Sequence, residues 1–127
     1  MKATDLMIGD WIGRVFDDKR IIEDYRQVDW IRTGEIGMRY RKVWSIGCIE
    51  PIPLTPEILE KNGWKRHEIF MDMKVGGNFN INFSWTDKYG ESLFQNGYYM
   101  CDCKYVHIIQ HVLRLCGLDE LADNFKL

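Results

Sequence analysis

An α+β fold is what this sequence predicts: a bent, β-rich, SH3-like N-terminal lobe, then a helix, a four-stranded antiparallel meander and a C-terminal helix. Three observations carry that expectation. Five Trp, six Tyr and six Phe stand among 127 residues, and aromatic side chains favour the pleated, half-buried surface of strands. Between His67 and Trp85 apolar residues recur at every second position, the period of a strand with one wet face. From Tyr105 to Cys116 they recur at helical spacing instead.

The N-terminal elements are short. Leu6-Met7-Ile8-Gly9-Asp10-Trp11-Ile12 has a Gly-Asp break before its first strand, and Asp17-Asp18-Lys19 reads as a turn between Trp11–Phe16 and Arg20–Tyr25. Val28–Arg32 is a further apolar run, Gly34 and Gly37 bracket a bend, and Arg39–Ile49 alternates loosely. Pro51-Ile52-Pro53 bars a continuous helix or a central strand. The lobe boundary is expected there, giving 1–53 and 54–127 within one compact unit.

Thr55 as N-cap, Pro56 in the first turn and Asn62-Gly63 as the stop define a two-turn helix, with Leu54, Ile58 and Leu59 as its core contacts. His67, Ile69, Met71, Met73 and Val75 share one parity. After Gly76-Gly77, Phe79, Ile81, Phe83 and Trp85 share one face, with Asn78, Asn80, Asn82 and Ser84 opposite. Glu91–Gln95 and Tyr98–Asp102 flank Asn96-Gly97, a strong hairpin signal. In the last segment Tyr105, Ile108, Ile109, Val112 and Leu115 or Cys116 are the expected apolar stripe, placed to cover the meander; Gly117 ends it and Leu118–Phe125 adds a short helix.

Composition narrows the function classes. Seventeen Lys+Arg against 19 Asp+Glu give a net charge of −2, with no global pull toward nucleic acid or anionic lipid. No apolar run approaches the ~18 residues of a membrane span, and the first residues lack a signal-peptide core, so no membrane partner is expected. Four Cys without a secretion signal fit reduced thiols in the cytoplasm.

Three segments resemble a family of small uncharacterised proteins of Bacteroides-type gut bacteria, their mobile elements and their phages. Leu6-Met7-Ile8-Gly9-Asp10-Trp11-Ile12 is similar to that family's opening leucine–x–isoleucine–glycine–asparagine–tyrosine–valine. Ile49-Glu50-Pro51-Ile52-Pro53-Leu54-Thr55, before a helix ending in Gly63-Trp64, is the most specific of the three. Tyr105-Val106-His107 opens the C-terminal helix. The family's histidine–glutamine–leucine–glutamine–asparagine run departs here to His107-Ile108-Ile109-Gln110-His111. The resemblance implies a shared fold and a mobile-element or phage setting, and no activity.

Two side-chain sets could carry chemistry. Cys101, Cys103, His107 and His111 are zinc-ligand types, with the two His one helical turn apart, although C-x-C is tighter than the usual first half of a zinc site. Packed thiols and an exposed His stripe have the same pattern, so no cofactor is expected ahead of that reading. Arg39, Tyr40, Arg41, Lys42 and Trp44, with Arg32 upstream, interleave basic and aromatic residues as single-strand binders do. A charged strand face over packed aromatics looks alike. The ladder Asn78, Asn80, Asn82, Ser84 reads as a wet face or a recognition surface, and Asp17, Asp18, Glu23 and Asp24 as turn and surface acids. No nucleophile elbow, Walker loop, dinucleotide fingerprint or H-E-x-x-H is present, so no enzyme activity is expected. The expected role is therefore a non-catalytic accessory or protein-interaction protein, binding a protein partner or a second copy. Nucleic-acid binding through the basic stripe is the alternative.

Overall fold

The computed structural model describes residues 2, 5–15, 22–39, 42–74, 80–86 and 90–127, with the side chains of Glu23 and Thr86 left aside. The expected turn at Asp17-Asp18-Lys19, Tyr40 and Arg41 of the basic stripe, and 75–79 with Gly76-Gly77 and Asn78 lie outside the described residues. Ten strands are β1 (Trp11–Val15), β2 (Ile22–Arg32), β3 (Glu35–Met38), β4 (Lys42–Ser45), β5 (Ile49–Glu50), β6 (Lys65–Arg66), β7 (Phe70–Lys74), β8 (Asn80–Thr86), β9 (Gly90–Gln95) and β10 (Tyr98–Asp102). The helices are α1 (Pro56–Lys61), α2 (Val106–Leu115) and α3 (Asp119–Asp123). Two antiparallel sheets and few helices make this an α+β protein. Its contacts form two units, Met1–Pro53 with Tyr105–Asn124, and Leu54–Lys104 with Phe125–Leu127.

In the first unit the strand order is β4-β3-β2-β1-β5. Of the strands expected at 20–25 and 28–32, the described part, Ile22–Arg32, is one long strand, because no turn residue separates them. That strand changes partner midway: Ile22–Gln27 pair with β1 and Val28–Arg32 with β3, across a bulge between Val28 and Trp30. A 3-10 turn at Ile46–Cys48 then returns the chain to β5, which pairs with the far side of β1. Leu6, Ile12, Val28, Ile36, Met38, Trp44 and Ile49 form one buried cluster on these strands. A fully buried side chain of this size contributes about 1.5–3 kcal/mol. Gly37 lies opposite Trp30, and a Cβ there would fall 1.9 Å from the indole ring. The bare glycine face is therefore what lets Trp30 lie across the sheet.

In the second unit the order is β10-β9-β8-β7-β6, five strands where four were expected; Lys65–Arg66 adds a two-residue edge. The period-two reading holds where there is strand: Met71, Ile81, Phe83 and Leu93 are buried. It fails at Ile69, which is 58% exposed. The chain still turns there, since the His67 N–H donates to the Phe70 carbonyl (2.8 Å) and the two rings stack at 4.4 Å. Asn96 and Gly97, at φ 49° and 86°, make the tight β9–β10 turn. Helix α1 has the expected cap, Thr55 Oγ1 accepting from the Ile58 N–H at 3.3 Å. A helix of six residues needs tertiary support. Asn62 supplies it, donating to the Lys126 carbonyl and accepting from the Lys126 N–H, both at 2.7 Å.

The C-terminal helix was expected in the second lobe as the roof of the meander. It belongs instead to the first unit, together with β1. Its stripe also differs: Val106, Ile109, Gln110 and Leu113 are buried, whereas Leu115 is 84% exposed. The reason is polar. The helix is keyed to the Gly9-Asp10 turn by hydrogen bonds that an apolar-periodicity argument does not weigh.

Candidate functional site

The site begins at a tight turn. Gly9 adopts φ +93°, and the Asp10 N–H donates to the Met7 carbonyl at 3.1 Å. The Asp10 carboxylate closes the same turn, Oδ2 accepting from the Met7 N–H at 2.7 Å. The positive φ is what calls for glycine here; a Cβ on Gly9 would also come within 2.8 Å of Arg114 Nη2 and Asp123 Oδ1, the tips of two side chains that would have to shift.

Asp10 is fully buried, and a buried carboxylate needs charged partners. Helix α2 provides them from one face. Arg114 Nη1 donates to Oδ1 at 2.6 Å, and His111 Nε2 lies 2.6 Å from Oδ2. Arg114 continues to Asp123 of α3, Nη2 to Oδ1, at 3.3 Å. One turn back along the helix, buried Gln110 accepts from the Trp11 N–H at 2.9 Å and donates to the Gly9 (3.0 Å) and Ala122 (2.9 Å) carbonyls. Gln27 of β2 completes the set, donating to the Gly9 (3.1 Å) and Asp123 (2.8 Å) carbonyls. Two amides and one carboxylate thus fix α2 and α3 on the first sheet.

The start of α2 is held separately. The Val106 N–H donates to the Ile52 carbonyl at 2.9 Å, and Tyr105 bridges Pro53. These two anchorages leave a cleft of about 450 Å³, lined by Asp5, Pro51, Tyr105, His107, Ile108 and His111. Its aromatic wall is continuous: Tyr105 stacks on His107 (6.0 Å, 16°), and His107 meets His111 edge-on (5.6 Å, 79°). His107 is 5% exposed, and its Nδ1 is buried with no hydrogen-bond partner among the described residues. Burial lowers its pKa below the usual imidazole value; the His111 ring acts in the same direction, against Asp10 and Asp5. The His107 ring is therefore neutral at pH 7, and among the described lining residues the one carboxylate is that of Asp5.

That neutral ring makes stability pH-dependent. The folded pKa lies below the unfolded one, so the unfolded chain takes up the proton first on acidification. The contribution of His107 is complete above about pH 6.5 and is lost as the pH falls below it. Urea midpoints at about pH 7.5 and 5.5 are expected to fall less for His107→Phe than for the unaltered protein. An equal fall in both would contradict this.

The predicted zinc set is divided between the two units. Cys101 and Cys103 belong to the second unit and His107 and His111 to the first. Among the described residues no group of three or more His, Cys, Asp or Glu is placed to hold a metal. Cys103 is instead a buried core side chain whose thiol pKa is raised by burial and then by Cys101, and His111 is committed to Asp10. The described residues of the basic stripe are divided between surface and core. Trp44 is 3% exposed in the core, where it cannot stack a base, and Arg14 lies over its ring. Arg32 lies over Trp30 and hydrogen-bonds Glu35 through both Nε and Nη2. Arg39 and Lys42 are exposed. Of the polar ladder, Asn80, Asn82 and Ser84 are half-buried, and the Asn80 N–H is taken by Asn96 Oδ1 at 3.0 Å. Asp24 pairs with Arg26 at 3.4 Å.

Asp10, Gln110, Gln27 and Arg114 were not singled out in the sequence. In comparisons of the chain with family models, with curated proteins and with solved structures, nothing matched.

Proposed function

We propose that this chain is a non-catalytic interaction protein of a mobile element or phage, and that its partner seats a side chain in the His107–His111 cleft. The observation that carries this reading is that cleft: about 450 Å³, within the range of small-ligand sites, with ring and aliphatic surface from Tyr105, Ile108 and Pro51 beside the polar groups of Asp5, His107 and His111. Its supports are rigid. The buried amides and the Asp10 carboxylate hold the α2 wall, which limits the ordering entropy lost when a partner docks.

The setting rests on the resemblance, and the cleft gives it some weight. The segments carrying the resemblance are 6–12, 49–55 and the start of α2, and in the first unit these come together around the cleft. Asp10 and Trp11 meet α2, Ile52 and Pro53 meet Val106 and Tyr105, and Pro51, Tyr105 and His107 are lining residues. The SH3-like reading of the first sheet belongs here as well. It is supported by the order β4-β3-β2-β1-β5, by the long β2 shared between two sets of partners, and by the 3-10 turn before β5. A cytoplasmic site of action is supported by four free thiols. No helix among the described residues is long and apolar enough to cross a membrane.

Filling the cleft tests the reading. Peptides selected from a random library on the unaltered protein should lose at least about tenfold in affinity against Ile108→Trp, whose ring occupies the cleft without touching the network beneath. Selected peptides that bind both proteins equally would place the interaction elsewhere.

A further inference from the structure

A second hollow lies on the first sheet, away from the cleft residues. It measures about 100 Å³ and is lined by Trp11, Tyr25, Arg26, Gln27 and Arg39. Strand register explains the grouping. Trp11 pairs directly with Gln27, and Tyr25 lies two positions along β2, so all three share one face. Arg39 is brought alongside by its backbone N–H, which donates to the Gln27 carbonyl at 3.2 Å. Gln27 is occupied by the Gly9 and Asp123 carbonyls and forms a fixed floor.

The lining has one sign of charge. Among the described lining residues two are arginines and none is acidic. Arg26 is partly neutralised by Asp24 at 3.4 Å. Arg39 is exposed, and among the described residues its guanidinium has no ion-pair or hydrogen-bond partner. Tyr25 presents 46% of its surface to solvent, beside a half-buried Trp11. An unneutralised guanidinium beside exposed ring surface suits a ligand that carries a phosphate next to a flat base.

We propose that this hollow is a contact point for single-stranded nucleic acid, with Arg39 on a backbone phosphate and one unpaired base against Tyr25 and Trp11. The site reaches beyond the partner cleft and does not depend on it. It retains Arg39 of the basic stripe and replaces the stripe's buried Trp44 by Tyr25 and Trp11.

The test is fluorescence anisotropy of a labelled oligothymidylate of about twelve nucleotides, titrated with the full chain across a salt series starting near 50 mM. Binding is expected to weaken as salt rises. Arg39→Gln should lower the slope of log affinity against log salt by about 0.7, the share of one phosphate on a single strand. Tyr25→Ala should weaken binding about tenfold and leave that slope unchanged. Both side chains are exposed, so circular dichroism should show folded variants; Lys65→Glu, on the second unit, should bind as the unaltered protein does. Four outcomes overturn the proposal: no binding near 50 mM salt, an equal loss with Lys65→Glu, duplex DNA bound as tightly as the single strand, or poly-glutamate displacing the oligonucleotide as well as unlabelled oligothymidylate does.

Discussion

Asp10→Ala is expected to destabilise the protein by about 3–5 kcal/mol, the range seen when one partner of a buried ion pair is removed. For a chain of this length that lowers the thermal midpoint by roughly 10–20 °C. The loss has three sources. The Met7 N–H loses the acceptor that closes its turn. The His111 imidazole loses its carboxylate. Arg114, whose side chain is only 13% exposed, keeps just the 3.3 Å contact to Asp123 and faces an uncompensated cavity. Asp10→Asn should cost distinctly less, because an amide oxygen still accepts from Met7. Urea melts of the two variants separate the cases: equal midpoints for both, or an unchanged midpoint for Asp10→Ala, would mean that the carboxylate does not hold the helix.

The second large effect lies in the other unit. Phe83 is 1% exposed on β8, the central strand of the second sheet, directly opposite Met71 on β7 and Leu93 on β9, both fully buried. Its ring also contacts Trp85, at 6.0 Å between centroids. Phe83→Ala removes that ring from a position where central-strand neighbours cannot collapse inward without shifting the register, so about 3–5 kcal/mol is expected. Phe83→Leu, which retains most of the volume, should cost less than half of that. Chemical denaturation reads both, and a cost below about 1 kcal/mol for the alanine variant would mean that the residue is not core.

These two sites mark how far the sequence could be read. Phe83 was legible because strand periodicity in an apolar stretch reports burial directly; the same holds for Ile81 and Met71. Helix α1 was legible because Thr55, Pro56 and Asn62-Gly63 act through local backbone chemistry that needs no knowledge of the rest of the chain. The Asn96-Gly97 turn was legible for the same reason. Asp10 was not. Its partners lie 101 and 104 residues away, and a buried carboxylate carries no local signature. Gln110 misled for a related reason: a glutamine on an amphipathic helix reads as solvent-facing, yet its three hydrogen bonds make it the centre of the buried face. With those two residues unread, the helix was assigned to the meander, and the candidate site followed the cysteines instead of the turn. The basic stripe failed on burial: alternation put Trp44 among charged neighbours, and the strand turned it into the core.

A buried charged contact joins the Gly9-Asp10 turn to α2 and shapes the cleft. A double-mutant cycle on Asp10→Asn and Arg114→Gln, read as urea unfolding free energies, measures that contact. The coupling energy between the two positions is expected to reach at least about 1 kcal/mol, as residues in one ion-pair network show. Additive effects, with coupling below about 0.3 kcal/mol, would contradict it and would separate α2 from the turn.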